Sequence, residues 1–151
     1  MKVFLVHAHP EPNSFNASMT SFAKQILEGC GHEVIISDLY AMRFNPVSDR
    51  HNFLSIKDPD YLKLQVEELH ASREHAFAPD IHAEMEKLLW CDCLILQFPL
   101  WWFSLPAILK GWVDRVFAMG RTYGGERFYF KPVHYGSLAE RWRNVAGRQD
   151  I

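Results

Sequence analysis

The sequence predicts an α/β fold built on a parallel β-sheet. Three short apolar runs alternate with segments of helical periodicity, and turns containing Pro or Gly separate them. The runs are continuously apolar, as expected of strands that are buried on both faces. Of the 151 residues, 48% are hydrophobic and 23% are charged, which is the composition of one globular domain.

The first strand and the first helix are predicted at the amino-terminal end. The strand covers Lys2 to His7. The helix begins near Ser14 to Asn16, because Ser and Asn are good N-caps, and it ends at Gly29 and Gly31. Its apolar residues recur at steps of four, three and four, the spacing of a stripe that faces the core. This stripe consists of Phe15, Met19, Phe22 and Ile26.

Two further strands and three further helices are predicted along the rest of the chain. The second strand covers Glu33 to Ser37, and the third covers Cys91 to Phe98. Helices are predicted within Tyr61 to His75, from Pro79 onward, and from about Leu105 to Phe117. A doubly wound sheet commonly has five strands, so a chain with three is expected to lack part of the sheet.

Composition excludes several classes of function. With 16 basic and 18 acidic residues, the formal net charge is −2, and no basic run suggests nucleic acid or an anionic membrane surface. No apolar run approaches the length of a membrane span, and the first residues resemble a strand rather than a signal peptide. Cys30, Cys91 and Cys93 are too few for a disulfide scaffold and favour a reducing cytoplasm. The last two are expected on one face of the third strand as small buried residues, and no metal site is predicted.

The turn after the first strand is the first candidate site. Ligands bind beyond the carboxyl ends of strands in open parallel sheets, and this turn leads into a helix N-terminus that favours a phosphate group. His9, Ser14, Asn16 and Ser18 add side-chain hydrogen-bonding groups. The alternative is that Ser14 and Asn16 only cap the helix.

The loop after the third strand is the second candidate site. Trp101, Trp102 and Phe103 are consecutive, and three consecutive aromatic residues in a loop cannot all point inward. An exposed cluster of this kind suggests a flat aromatic ligand or a partner subunit. The alternative is that the rings pack under a loop or fill a dimer interface. No motif for a catalytic nucleophile and its base occurs, so the catalytic residues remain unassigned.

Four segments carry a resemblance to a known family and occur in the same order as in that family. They are HPEPNSFN at 9–16, SDLYAMRFN at 37–45, QFPLWWF at 97–103 and LPAILKGWVDRVF at 105–117. The chain resembles the NAD(P)H:quinone oxidoreductases, the DT-diaphorase-like family, over about residues 2–123. The resemblance implies a flavodoxin-like open parallel sheet with helices on both faces. It also implies a homodimer that passes hydride from NAD(P)H through FAD, with FMN less favoured, to a quinone-type acceptor.

The resemblance also assigns cofactor and substrate contacts. The first loop is implied to hold the phosphates and adenosine-side hydroxyls of the cofactor, and the aromatic loop is implied to hold its isoalloxazine ring. Phe103 is implied to face the nicotinamide or quinone as well, and Tyr123 matches an aromatic residue of the neighbouring subunit's substrate pocket. The implied cofactor contacts are His9, Ser14, Phe15, Asn16 and Ser18 from the first loop, and Pro99, Leu100, Trp101, Trp102 and Phe103 from the second.

The resemblance stops after about residue 130. The family's Thr-Thr-Gly-Gly loop, the Tyr and His that follow it, and the last strand and helix have no counterpart in the sequence. We therefore predict a flavin-binding domain at 1–130, with the last strands missing, and a divergent tail at 131–151 that has the character of a truncated or frame-shifted end. The alternative function is a catalytically impaired, flavodoxin-like binding or regulatory subunit.

Overall fold

A computed structural model describes residues 1–124 of the chain, so the predicted tail at 131–151 and the end of the predicted domain lie outside the described residues. Three parallel strands form a sheet in the order β2-β1-β3. The strands are β1 (Lys2–His7), β2 (Glu33–Asp38) and β3 (Cys93–Gln97). The predicted α/β class with a parallel sheet is confirmed.

Helices cover both faces of this sheet. They are α1 (Phe15–Gly29), α2 (Leu64–Glu74), α3 (Pro79–Trp90) and α4 (Ala107–Val116), and a short 3-10 helix spans Arg50–Asn52. Helix α1 packs on β1 and β2 from one side, and α3 packs with α4 on the other side. No helix within residues 1–124 is both long enough and apolar enough to cross a bilayer.

The core lies between the sheet and the pair formed by α3 and α4. Phe4 of β1 and Trp112 of α4 are fully buried, and their ring centroids lie 5.9 Å apart. The buried carboxylate of Glu84 on α3 accepts hydrogen bonds from Ser37 Oγ at 3.0 Å and Trp112 Nε1 at 2.9 Å. Together with the ion pair from Lys87 Nζ to Glu84 Oε1 at 2.5 Å, these bonds satisfy the buried carboxylate, and those from Ser37 and Trp112 join β2, α3 and α4 into one unit. They thereby fix the helix that follows the aromatic loop.

The predicted apolar stripe of α1 is wrong in its orientation. Phe15, Phe22 and Ile26 are 79%, 65% and 50% exposed. The more buried stripe contains Asn16, Thr20, Ala23 and Leu27, which repeats the same spacing one residue later. Thr20 is buried, and its Oγ1 lies 2.9 Å from Nδ1 of His7 on β1. The hydrophobic pattern therefore predicted the wrong face of α1, whereas the face that is buried carries a polar contact with β1.

The predicted placement of the cysteines also needs correction. Cys91 caps the end of α3, with its N–H donating to the Lys87 carbonyl at 3.2 Å, so only Cys93 belongs to β3. Both thiols are half-buried, which raises the pKa of each, and Cys30 is exposed. The apolar run at 91–98 could not reveal that the preceding helix uses Cys91 as its cap. Strand β3 is therefore shorter than predicted.

Candidate functional site

Sheet topology creates a crevice above β1 and β3. The chain leaves β1 toward β2 and α1, whereas it leaves β3 toward α4 on the other face of the sheet. The β1 loop (residues 8–14) and the β3 loop (residues 98–106) therefore start from neighbouring strands and lead to helices on opposite faces of the sheet, which is the arrangement at which open α/β sheets bind ligands. The strands stay paired up to the loops, because Ala8 N–H donates to the Gln97 carbonyl at 3.0 Å.

The β1 loop is held by its own hydrogen bonds. Glu11 N–H donates to Nδ1 of His9 at 3.1 Å, and Glu11 Oε1 accepts from Asn13 N–H at 2.8 Å. Ser14 N–H donates to the Glu11 carbonyl at 3.1 Å. Nδ1 of the half-buried His9 also lies 3.2 Å from the Glu11 carbonyl, so the loop itself engages this nitrogen. The ring therefore leaves Nε2 as its other hydrogen-bonding group for a ligand in the crevice.

Ser14 and Ser18 hold the N-terminus of α1. Ser14 Oγ accepts from Ala17 N–H at 3.1 Å, and Ser18 Oγ donates to the Ser14 carbonyl at 3.2 Å. The capping alternative therefore describes Ser14, whose side chain satisfies the helix itself. The N–H groups of Phe15 and Asn16 open the helix and have no acceptor within it. They point with the helix dipole toward the loop, as an anion site requires.

Asn16 has a different role from Ser14. Its Oδ1 accepts a hydrogen bond from Nε2 of Gln97, at the end of β3, at 2.8 Å. Capping therefore does not describe Asn16, which links α1 to the start of the β3 loop. Gln97 is not among the site residues predicted from the sequence. The signal available for it was an amide side chain at the end of an otherwise apolar strand.

The β3 loop is a tight turn with two aromatic residues at its tip. Trp101 and Ser104 exchange backbone hydrogen bonds at 3.2 and 3.0 Å. Between them, Trp102 and Phe103 have φ of +51° and +61°, and their side chains are 94% and 97% exposed. The left-handed conformation costs a residue with a side chain about 1–2 kcal/mol. Strained residues of this kind concentrate at ligand sites.

The other predicted residues of the β3 loop lie nearer its base. Leu100 and Trp101 are exposed, whereas Pro99 is half-buried. The expected exposure of the aromatic cluster is thus observed. Trp101 lies on the side of the crevice where the β1 loop approaches, with its ring centroid 6.2 Å from that of His9 and the rings tilted by 57°. Together with the bond between Gln97 and Asn16, this contact brings the two loops together.

Ser18 and Tyr123 lie outside this junction. Ser18 lines an open cavity of about 440 Å³ on the outer side of α1. The hydroxyl of Tyr123 lies 3.4 Å from Oε2 of Glu68 on α2, and the same oxygen accepts from Met119 N–H at 2.7 Å. Burial raises the pKa of both Glu68 and Tyr123. Helix α2 therefore holds the segment that carries Tyr123, and a role in a neighbouring subunit's pocket stays a prediction.

The groups at the crevice are hydrogen-bond donors and aromatic rings. Two N–H groups, an amide and an imidazole lie on one side, and the aromatic turn lies on the other. Within residues 1–124, no group of three or more His, Cys, Asp or Glu side chains is arranged to hold a metal ion. The arrangement suits a ligand that is anionic at one end and planar at the other.

Comparisons with known proteins match this architecture. Residues 1–136 match the family model described as a flavodoxin-like fold. A Klebsiella pneumoniae protein assigned as a quinone reductase has a solved structure that matches with a TM-score of 0.79 and 48% sequence identity. That match covers 82% of this chain and 48% of the other.

Curated relatives carry the names of quinone-reducing dehydrogenases. The chain is 43% identical over 129 residues to ribosyldihydronicotinamide dehydrogenase [quinone] of Rattus norvegicus, covering 85% of this chain and 56% of the relative. It is 44% identical over 131 residues to NAD(P)H dehydrogenase [quinone] 1 of the same organism, covering 86% and 48%. The chain spans about half the length of the curated relatives it matches. The resemblance drawn from the four segments is confirmed, and the chain belongs to the family of the flavodoxin-like fold.

Proposed function

We propose that this chain binds FAD and takes part in two-electron reduction of a quinone-type acceptor by NAD(P)H. The observation that carries the proposal is the junction of the two loops. Asn16 is bonded to Gln97, and His9 lies beside Trp101. Helix N–H donors therefore lie across a crevice from an exposed aromatic turn. A dinucleotide with a tricyclic ring has complementary features at its two ends.

The amino-terminal side of the crevice fits the diphosphate of FAD. The N–H groups of Phe15 and Asn16 and the dipole of α1 favour an anion at this position. Asn16 Nδ2 supplies a further donor, since Oδ1 is already engaged as an acceptor, and Nε2 of His9 adds a hydrogen-bonding group. We expect this side to bind FAD more tightly than FMN, because a diphosphate can contact more of these donors than a single phosphate can.

The aromatic side of the crevice fits the isoalloxazine ring. Trp101, Trp102 and Phe103 present ring faces and edges, and Pro99 and Leu100 complete the wall. A bound flavin would supply the hydride-transfer chemistry between NAD(P)H and the acceptor, so the protein need not supply a nucleophile. Phe103, at the tip of the turn, would face the nicotinamide or the quinone. The residues of the turn orient the ring and keep water from one of its faces.

The assembly proposed is a cytoplasmic homodimer in which Tyr123 contributes to the partner subunit's substrate pocket. The resemblance carried by the four segments supports this assembly. In addition, Glu68 on α2 contacts the Met119 N–H and the Tyr123 hydroxyl, which keeps the Tyr123 segment against α2. The relatives are dehydrogenases by name. That favours an enzyme over the non-catalytic binding subunit considered from the sequence.

Visible absorption and turnover of the purified chain test the proposal. After incubation with FAD and gel filtration, we expect the protein fraction to keep the flavin spectrum and to oxidise NAD(P)H only when a soluble quinone is present. Parallel incubation with FMN should leave less flavin bound. A colourless protein fraction would refute flavin binding, and retained flavin without turnover would support the non-catalytic alternative.

A further inference from the structure

Gln97 links the two sides of the crevice. It ends β3, and its main-chain carbonyl accepts from Ala8 N–H at 3.0 Å, so the sheet fixes its position. Its half-buried side chain crosses to α1, where Nε2 lies 2.8 Å from Oδ1 of Asn16 and 4.0 Å from Sδ of Met19. The two amides are 81 residues apart in the sequence.

The direction of this hydrogen bond determines which atom Asn16 offers to a ligand. A carboxamide has an acceptor oxygen at one end and a donor nitrogen at the other. Because Gln97 donates, Oδ1 of Asn16 is engaged and the Nδ2 donors remain. A diphosphate requires donors, whereas a free amide oxygen would repel it.

We propose that Gln97 is a positioning residue that sets the orientation of the Asn16 amide, so that Asn16 presents its donor end to the diphosphate of the bound dinucleotide. This inference rests on the proposed function. Gln97 also begins the QFPLWWF segment, and therefore the strand that carries the aromatic turn also orients the anion-binding side chain.

Two substitutions of Gln97 separate the effect of its hydrogen-bond donor from the effect of its side-chain packing. Gln97→Met keeps the length of the side chain beside Met19 and removes the donor, so FAD affinity should fall about 2- to 10-fold. Gln97→Glu replaces the donor with an acceptor, so Asn16 must turn its Nδ2 toward residue 97 and its Oδ1 toward the ligand. The expected loss of FAD affinity is about 10- to 100-fold. Gln25→Met, the same change at an exposed glutamine on the outer side of α1, is the matched control.

Two further measurements distinguish orientation of Asn16 by Gln97 from a purely structural role of Gln97. They are the affinity for riboflavin and the effect of Gln97→Met in an Asn16→Ala background. Riboflavin has the isoalloxazine ring and no phosphate, so its affinity should change less than 2-fold in either Gln97 variant. In the Asn16→Ala background, Gln97→Met should cause no further loss of FAD affinity, because the residue it orients is absent. Dissociation constants are measured by flavin fluorescence, and circular dichroism checks folding.

The outcomes distinguish this inference from the proposed function. If the unsubstituted chain binds neither FAD nor riboflavin, the proposed function fails and the inference fails with it. If FAD binds but Gln97→Met leaves its affinity unchanged, or weakens riboflavin equally, only the inference is overturned. An undiminished effect of Gln97→Met in the Asn16→Ala background also overturns it. Should Gln97→Glu fail to fold, the Met and Ala variants alone decide the question.

Discussion

The two loops that meet at the crevice are stabilised in opposite ways. The β1 loop satisfies its own polar groups through His9, Glu11 and Ser14, and none of its residues has a positive φ. The β3 loop places Trp102 and Phe103 in left-handed backbone with their rings in solvent. One loop is therefore organised before a ligand arrives, whereas the other stores backbone strain and exposed apolar surface.

This difference implies a division of labour in binding. Full burial of an aromatic side chain such as Phe contributes about 1.5–3 kcal/mol, which is comparable to the backbone cost of about 1–2 kcal/mol for each left-handed residue. Covering Trp102 with a planar cofactor, and Phe103 with the substrate, would offset that cost. The β1 loop gains little apolar burial and instead supplies directed donors. In the proposed function, charge recognition would therefore belong to the β1 loop, and binding through apolar contact would belong to the β3 loop.

Removing the amide of Asn16 should cause the largest loss of the FAD affinity that the β1 loop provides. Asn16→Ala deletes a donor to an anionic group, and FAD affinity should fall about 10- to 100-fold. Flavin fluorescence titration measures the loss, and Gln25→Ala serves as an exposed control on the same helix. Unchanged affinity would leave Asn16 as a structural link to Gln97 with no part in binding the cofactor.

Truncating the tip of the β3 loop should affect turnover more than cofactor retention. Phe103→Ala removes a ring expected to face the substrate, so kcat/KM for quinone reduction should fall about 10-fold while FAD affinity changes less than 3-fold. Phe22→Ala, an exposed aromatic on the outer side of α1, is the control. An equal loss of turnover and of FAD affinity would contradict the place assigned to Phe103.

Releasing strain in the β3 loop should stabilise the protein and weaken its ligand binding. Trp102→Gly removes the left-handed penalty at an exposed position and should raise the free energy of unfolding by about 1 kcal/mol relative to Trp102→Ala, which keeps the penalty. Both variants lose the ring and should bind riboflavin more weakly than the unsubstituted chain. Chemical denaturation checks the first expectation. Equal stability of the two variants would show that Trp102 is unstrained.

Acidification should weaken the anchoring of α1 below the β1 loop. His7 is buried beside Thr20, and burial lowers the pKa of His7 from its ordinary value of 6.5, with the nearby Asp38 opposing that shift. Because the unfolded chain binds the proton more readily, the stability contributed by the neutral ring is present above pH 6.5 and is lost as the pH falls below it.

His7→Gln should remove this part of the pH dependence, and denaturation midpoints measured between pH 5 and 8 test it. Variants of the β3 loop should keep the same pH profile as the unsubstituted chain. A profile unchanged by His7→Gln would place the titrating group elsewhere.

Local patterns in the sequence predicted the fold and the two loops well. The continuous apolar runs located all three strands, and the predicted start of α1 near Ser14 to Asn16 is confirmed, with Ser14 as its cap. The inward face of α1 was missed because stripes beginning at Phe15 and at Asn16 have the same spacing. Only tertiary packing distinguishes them, and the buried stripe carries the contact between Thr20 and His7.

The junction of the loops was less accessible to sequence reasoning. The bond between Gln97 and Asn16 joins residues 81 positions apart, and no local pattern encodes its direction. The left-handed turn at Trp102 and Phe103 could not be predicted for a different reason, because bulky residues normally avoid that conformation.

Competition against bound FAD tests most directly whether the two loops hold one ligand. ADP carries the diphosphate without the isoalloxazine, and riboflavin carries the ring without the phosphate. We expect each to displace FAD, with Asn16→Ala weakening ADP alone and Trp102→Ala weakening riboflavin alone. If neither compound displaces FAD, or if both variants weaken both compounds equally, the two loops do not divide a single ligand between them.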